Sequence, residues 1–453
     1  MFKKSCLSAG IAALCIYPLA ANALSDADLK EIRSEIQILK QGYEARIAQL
    51  EQRLKAAEEK QAEIKPAEVK PAVQPQVIAS AGREGAFNPA ISLILGGSYS
   101  KLSQDPAIPP TGFAMSANPG HSQGFNLGES ELGISASIDP DYRGVATLAL
   151  APAGGMTVEN AFVQTTALAD GLNLKFGRYF SGLGYLNEIH AHAWDFADQP
   201  LVYATLWNNQ LGEDGVQLKW LAPSDTFIEL GGELGRGRGF PGSDRTKNGA
   251  GSGVLFAHIG DDIGIEHSWR AGASIHQTRR VNSISADAIN TLINNSFSGD
   301  SRTAGLDLVW KYSPNGNTAY RYLKVQGEYF QRKESGMLTY DTALTNVTDT
   351  YANTQSGWYL QSVYQFMPNW RTGLRYDRLN PGTASIGALN TGNIAANYGF
   401  SPSRATWMLD YSPSEFSRLR LQLARDSTRL GLPDNQLFLQ YIMSLGAHGA
   451  HQY

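Results

Sequence analysis

The stretch Tyr322–Tyr329 reads YLKVQGEY, and its residues alternate in polarity at every step. The odd-numbered positions hold Leu, Val, Gly and Tyr, whereas the even-numbered positions hold Tyr, Lys, Gln and Glu. Similar alternation recurs in Leu306–Tyr312 (LDLVWKY) and Arg418–Leu423 (RLRLQL). Because successive side chains of a β-strand point to opposite faces, these stretches are predicted to be strands with one apolar and one polar face.

The lengths of the strands and of their connections favour a membrane barrel over a soluble sheet. The predicted strands have about 9 to 12 residues, close to the ~9–11 residues of a tilted membrane crossing. Short turns rich in Pro, Gly, Asn, Asp and Ser are predicted at residues 139–141, 169–171, 222–224, 261–262, 313–316, 367–369 and 412–414. Longer segments alternate with them at residues 181–213, 236–251, 278–301, 333–354 and 379–402. Short connections at one end and long ones at the other are typical of outer-membrane barrels.

These turns, with both ends of the domain on the periplasmic side, predict the number of strands. The strands are expected to begin near residues 90, 125, 143, 157, 172, 214, 227, 252, 266, 303, 320, 356, 370, 404, 417 and 435. The predicted fold class is all-β: a 16-stranded antiparallel transmembrane β-barrel preceded by an N-terminal α-helical coiled coil. The predicted location is the outer membrane of a Gram-negative cell, with outer-membrane lipid as a partner and the helix in the periplasm.

The polar faces of the strands predict a pore. A barrel of this size encloses an aqueous lumen rather than a packed core. Charged side chains on a lipid-embedded strand are tolerated only where they meet water. The function predicted from this is diffusion of small solutes. The residues expected to line the lumen are Lys175, Arg270, Asp307, Lys311, Lys324, Glu328, Arg375, Asp377, Arg418 and Arg420.

The chain ahead of the barrel carries three further predictions. Residues 1–23 combine a basic start, an apolar stretch and a small-residue cleavage site, which predicts a secretory signal peptide. Residues 25–63 repeat apolar positions at spacings of three and four, which predicts a periplasmic coiled coil. A homotrimer and contact with peptidoglycan are hypotheses based on this helix, and a lone surface helix is the alternative. Residues 64–84 form a Pro-rich linker, and the barrel occupies residues 85–453.

Composition excludes several functional classes. The 453 residues have a formal net charge of −4, so a broad electrostatic grip on nucleic acid is excluded. Both cysteines, Cys6 and Cys15, fall within the predicted signal peptide. A barrel lipase or protease needs a nucleophile with a placed histidine, and the sequence shows no such motif, so the chain is not predicted to be an enzyme.

Four of the eight histidines occupy two short segments. In the long segment after the fifth predicted strand, a Glu and two His are spaced by two and an Asp follows closely. Imidazole and carboxylate together can bind Zn²⁺ or another borderline divalent ion. No resident cofactor is predicted, but Zn²⁺ is a candidate bound or transported ion, and ordinary loop hydrogen bonding is the alternative. The candidate metal ligands are Glu188, His190, His192 and Asp195 in this segment, with His448 and His451 as a separate pair in the tail.

The sequence leaves the solute open. Zinc or a zinc complex is one candidate. An anion channel for phosphate or dicarboxylates is the alternative, because basic pairs such as Arg418 and Arg420 can line a pore. Acidic residues slightly outnumber basic ones, however, which does not indicate strong overall anion selectivity. A structural tether between the outer membrane and the cell wall is the second alternative.

Two runs carry a more specific resemblance. An exported chain with a coiled coil, a Pro-rich spacer and a 16-stranded barrel resembles trimeric porins of the phosphate-selective and DcaP-like type. The runs Leu186–Phe196 (LNEIHAHAWDF) and Leu439–His451 (LQYIMSLGAHGAH) resemble proteins labelled zinc-regulated TonB-dependent outer-membrane receptors. This resemblance implies an outer-membrane channel made under zinc limitation. TonB-gated receptors need a 22-stranded barrel with a plug, for which this chain is too short, so diffusion is predicted instead.

Overall fold

A computed structural model describes residues 89–446, apart from residues 107, 114–121, 151–153, 167, 244–245, 288–289 and 291. The predicted signal peptide, coiled coil and linker lie outside the described residues, as do His448 and His451. All structural statements below concern the described part of the chain.

Antiparallel strands make up most of this part. They are β1 (Ala90–Lys101), β2 (Gly124–Leu127), β3 (Glu131–Ser137), β4 (Tyr142–Leu150), β5 (Met156–Thr165), β6 (Leu172–Phe180), β7 (Gly212–Leu221), β8 (Phe227–Gly235), β9 (Ser252–Ile263), β10 (His267–Ala286), β11 (Asn294–Tyr312), β12 (Tyr322–Tyr340), β13 (Val347–Met367), β14 (Trp370–Asn380), β15 (Ser385–Ile386), β16 (Ser403–Ser414), β17 (Ser417–Ser427) and β18 (Asp434–Gly446). The helical elements are α1 (Leu201–Trp207) and 3-10 turns at Ala169–Gly171, Ala191–Ala193 and Pro314–Gly316. No described helix is long and apolar enough to cross a membrane.

The sheet closes on itself. Neighbouring strands pair along the chain, and β1 pairs with β18 to complete the cylinder. β2 and β3 both pair with β1 and together form one crossing, interrupted at residues 128–130. β15 is a two-residue strand that pairs with β13 inside a connection. The 18 strands therefore make 16 crossings, and the predicted sixteen-stranded antiparallel barrel is confirmed.

Two predicted loops are strand instead. β10 and β11 extend to a connection at residues 287–293, and β12 and β13 extend to one at residues 341–346. The predicted loops at 278–301 and 333–354 were therefore wrong. Their sequences lack apolar alternation because both faces are polar there, but the backbone ladder continues regardless.

Two predicted turns were also displaced. Residues 261–262 belong to β9, and the chain reverses at 264–266, where Gly264 adopts a φ of +65°. Residues 412–414 belong to β16, and the chain reverses at 415–416. Asp261 fits an extended strand because its carboxylate accepts a hydrogen bond from the Thr226 hydroxyl, at 3.0 Å.

The distribution of exposed residues is the inverse of that in a soluble protein. Leu306 is 61% exposed, whereas its neighbour Asp307 is 5% exposed. Leu360 is 53% exposed, and the adjacent Gln361 is 3% exposed. Soluble proteins bury leucine and expose aspartate. An apolar outer surface around a polar interior is therefore the surface of a membrane-spanning barrel, as the alternation predicted.

The Leu360→Arg variant tests this assignment. An arginine near the middle of a lipid-facing strand should lower the free energy of unfolding by about 2–4 kcal/mol, since it must leave water for the acyl chains. Urea titration of the protein in lipid vesicles measures the change. Thr350→Arg, on the extension of the same strand beyond the membrane, is the control and should stay within about 0.5 kcal/mol of the parent. Equal effects in the two variants would contradict the lipid-facing assignment.

Candidate functional site

Residues 181–211, which connect β6 to β7 and are called the constriction segment below, fold into the barrel. Asn187 closes the base of this segment: its side-chain amide donates to the Ser181 and Leu211 carbonyls at 2.8 and 3.0 Å, and its side-chain carbonyl accepts from the Leu211 N–H at 2.7 Å. Gly184 adopts a φ of +67° and lies so close to the wall that a Cβ there would be 2.3 Å from the Glu328 carboxylate. Glycine therefore permits the close approach of this segment to β12.

One side of the constriction segment is apolar. Tyr203 and Trp207 of α1 are at most 1% exposed and pack against Phe330 of β12. The Trp207 and Phe330 rings meet edge to face, with centroids 4.7 Å apart. Val202 and Leu379 belong to the same buried cluster. This part of the lumen is a packed core, contrary to the expectation of a purely aqueous interior, because the LVYATLW sequence of α1 supplies the apolar surface that fills it.

Glu328 anchors the start of the segment to the wall. Its carboxylate accepts hydrogen bonds from the backbone N–H groups of Tyr185 and Leu186 at 2.9 and 3.2 Å. The hydroxyls of Tyr203 and Tyr359 donate to it at 2.8 and 2.6 Å. Four donors satisfy this buried carboxylate, so its role in the described structure is to hold the constriction segment in place.

Aspartates anchor the other side of the segment. Asp198 contacts Arg375 at 2.7 Å and Arg404 at 2.6 Å, and both arginines also contact Asp377 of the wall. Asp195 forms ion pairs with Lys324 and with Arg371, the latter at 3.3 Å. The set of Asp198, Asp377, Arg375 and Arg404 is buried and neutral, because two carboxylates balance two guanidiniums.

Two cavities border the constriction segment. The larger, about 760 Å³ in volume, opens among the short connections and is called the vestibule. The smaller, about 200 Å³, lies toward the long connections. Ala193 and Asp195 line the vestibule, whereas Trp194 and Asp198 line the smaller cavity. A solute that crosses between these cavities therefore passes the stretch 194–198. The charged and imidazole groups that line the vestibule are Glu131, Glu188, His190, His192, Asp195, Arg270, Lys311, Lys324, Arg371, Glu415 and Arg418.

The predicted pore-lining residues fall into two groups in the structure. Those around the vestibule are Arg270, Lys311, Lys324 and Arg418. Those buried against the constriction segment or the wall beneath it are Asp307, Glu328, Arg375, Asp377 and Arg420. Lys175 lies on the inner wall of β6, where its ammonium is 4.7 Å from the centroid of the Phe162 ring and 5.5 Å from that of Tyr179.

The predicted metal ligands of the constriction segment are not brought together as one set. Glu188 pairs with Lys219 at 3.0 Å, and Asp195 is held by Lys324 and Arg371. Burial alone would raise the pKa of Glu188, but Lys219 and Lys175 lower it to about 2, so the carboxylate is ionised at neutral pH. Both carboxylates therefore serve ion pairs.

The two histidines do meet carboxylates, but different ones. His190 Nδ1 lies 3.0 Å from Glu159 Oε2 and 3.3 Å from Glu131 Oε2, and His192 Nδ1 lies 3.1 Å from Glu131 Oε1. Burial alone would lower the pKa of His190, but hydrogen bonds with Glu131 and Glu159 raise it to about 10. Sequence reasoning missed Glu131 and Glu159. The available signal was that each is a charged residue on the inward face of a predicted strand. Nothing in the neighbouring sequence indicated that either would contact His190.

Comparison with known proteins places the chain in a family. No protein-family model matches it. A protein of Aquifex aeolicus, described as uncharacterized, is 30% identical over 358 residues, which cover 73% of this chain and 70% of the relative. The chain belongs to the family of this Aquifex protein.

The barrel of this family member is similar to solved outer-membrane proteins. A loop L8 deletion mutant of OmpT, an outer membrane protein of Vibrio cholerae, aligns with a TM-score of 0.50 and 12% identity, over 80% of this chain and 100% of that one. The outer membrane channel DcaP of Acinetobacter baumannii aligns with a TM-score of 0.47 and 14% identity, over 81% of this chain and 100% of that one. The first likeness shows the fold, which is that of an outer-membrane barrel.

Proposed function

We propose that the chain is an outer-membrane channel through which small solutes diffuse, with a preference for small anions such as phosphate or dicarboxylates. The observation that carries this proposal is the balance of charge in the vestibule. Glu131, Glu188 and Asp195 each have a cationic or imidazole partner, as described above. Arg270 and Arg418 also line the vestibule, and within the described ranges the Nε atom of each is buried without a hydrogen-bond partner. Counting Glu415, four carboxylates and five Lys or Arg side chains line the vestibule, so the surplus charge that faces it is positive.

The surroundings of these arginines strengthen their effect. The Arg270 guanidinium lies 5.3 Å from the centroid of the Tyr185 ring, and its Nε is buried without a hydrogen-bond partner in the described structure. Arg418 donates to the His192 carbonyl. Charges of one sign in a cleft with poorly polarisable walls concentrate the field and attract ions of the opposite sign. Basic side chains at a constriction select anions in this way.

The Arg270→Gln/Arg418→Gln variant tests the proposal. Removing both arginine charges should lower the anion-to-cation permeability ratio several-fold, because the vestibule loses its positive field. Reversal potentials in asymmetric KCl across a planar bilayer measure this ratio. Arg302→Gln, an exposed arginine on the outer face of β11, is the control and should leave the ratio unchanged. A ratio unaffected in the double variant would contradict an anion preference set by the vestibule.

Uptake of zinc is a second candidate, and one observation favours it. His190 and His192 both line the vestibule, so a borderline cation that enters the channel meets imidazole groups before the constriction. Reversal potentials in a zinc gradient distinguish the two candidates. A cation preference in zinc salts would favour zinc, and an anion preference in the same salts would favour the first proposal.

The remaining predictions concern assembly. The homotrimer, the coiled coil, and the contact with peptidoglycan stay predictions, because they rest on the chain before residue 89. The mass of the assembled full-length protein in detergent tests the trimer. Channels that close in three equal current steps per inserted particle would agree with it. A folded, membrane-inserted protein without conductance would instead favour the structural tether.

A further inference from the structure

A cluster of carboxylates and imidazoles lies at one edge of the vestibule. Glu131 belongs to β3, Glu159 to β5 and His190 to the constriction segment. One donor atom from each of these residues, together with one from Glu129, lies within 4.8 Å of all the others. The wall and the inserted segment thus meet at this cluster.

The charges in this cluster do not balance. Three carboxyl groups, of Glu129, Glu131 and Glu159, face the imidazoles of His190 and His192, which together carry at most two positive charges. Glu131 is 3% exposed, so water screens it poorly. Carboxylates gathered in such a place need protons or a cation to offset their repulsion. A divalent ion supplies two charges at one point.

The distances suit a small divalent ion. Ligand atoms around a tetrahedral ion at about 2.1 Å lie about 3.4 Å from one another. His190 Nδ1 is 3.0 Å from Glu159 Oε2 and 3.3 Å from Glu131 Oε2. Because one donor is an imidazole nitrogen, the set favours a transition metal such as Zn²⁺ over Mg²⁺ or Ca²⁺, which prefer oxygen ligands.

Two neighbouring side chains hold the donors in position. His192 Nδ1 lies 3.1 Å from Glu131 Oε1, so it engages the oxygen that faces away from His190. The Asn160 side-chain amide is 2.8 Å from His190 Nε2. Rotating this amide by 180° presents its oxygen to an Nε2–H, which leaves Nδ1 free to bind a metal. Partners of this kind orient ligands in many metal sites.

We propose that Glu131, Glu159 and His190, with Glu129 as an additional carboxylate, bind one divalent transition-metal ion that fastens the constriction segment to β3 and β5. The ion enters from the vestibule, which Glu131, His190 and His192 line. His192 and Asn160 act as positioning residues. This site differs from the set of Glu188, His190, His192 and Asp195 expected from the sequence. It goes beyond the proposed channel, because binding at the wall does not depend on which solute crosses.

Calorimetry with Zn²⁺ on the full-length protein in detergent, after removal of metal by EDTA, tests the proposal. The His448→Ala/His451→Ala variant is the parent, so that the tail histidines contribute no signal. We expect one Zn²⁺ per protomer, with Mg²⁺ and Ca²⁺ unable to compete. Glu159→Gln in this background should abolish tight binding, and His192→Ala should weaken it about 10–100-fold. Co²⁺ should give the absorption spectrum of a four-coordinate site.

The controls separate this site from its rivals. Glu266→Gln, which changes a half-buried glutamate at a short connection away from the cluster, should bind Zn²⁺ like the parent. Unchanged affinity in both Glu159→Gln and Glu131→Gln would overturn the proposal. So would loss of binding in Glu188→Gln with Glu159→Gln unaffected, which would restore the set expected from the sequence. Circular dichroism of each variant establishes that the barrel is folded. Conductance is measured separately, so a non-conducting protein that still binds Zn²⁺ refutes the channel and not the metal site.

Discussion

Trp207→Ala is expected to lower the free energy of unfolding by about 3–5 kcal/mol and to raise the single-channel conductance several-fold. Trp207 is 1% exposed and packs edge to face on Phe330. Truncation leaves a cavity between α1 and β12 that the rigid barrel wall cannot close. The constriction segment then loses its largest apolar contact and moves away from the wall more often.

Chemical denaturation in detergent and planar-bilayer recording measure the two effects. Trp358→Ala is the matched control, since this tryptophan is 36% exposed on the lipid-facing side of β13. Lipid chains or detergent fill the space it leaves, so a smaller loss of stability and an unchanged conductance are expected. A conductance of Trp207→Ala equal to that of the parent would mean that α1 does not limit the pore.

The barrel was predictable because its physical signal repeats along the chain. The alternation in β12 and β17 depends only on neighbouring residues, and the closed sheet of 16 crossings follows from such strands and their turns. The extensions of β10 to β13 toward the long connections were missed because the residues on both of their faces are polar. Alternation of polarity is lost there, although the hydrogen-bond ladder persists, for example between Glu334 and Asn353.

The site was predictable only in part because its members are distant in sequence. The His190 and His192 pair was recognisable from its spacing. Glu131, which contacts both, lies 61 residues before His192, and their meeting depends on how the constriction segment enters the lumen. The packed core beneath α1 was missed for a related reason. The LVYATLW sequence shows apolar character, but not that Phe330 and Leu379 would point inward to receive it.

Asp198→Ala is expected to lower the free energy of unfolding by about 3–5 kcal/mol, because it leaves buried guanidiniums without their counter-charge. In the parent protein, Asp198 and Asp377 together balance Arg375 and Arg404. Without Asp198, this buried group carries one excess positive charge. Arg404 also lines the smaller cavity, so anion preference should increase as stability falls.

The effects on conductance and on the permeability ratio together distinguish the ion pairs of Asp198 from the apolar packing of Trp207. Trp207→Ala removes no charge, so it should raise conductance without changing the permeability ratio, whereas Asp198→Ala should change both. Denaturation and reversal potentials are measured on the same preparations, with Asp261→Ala, an exposed carboxylate near the end of β9, as the control. If Asp198→Ala lowers stability but leaves the permeability ratio of the parent, the smaller cavity does not lie on the solute path. The path would then have to bypass the stretch between Trp194 and Asp198.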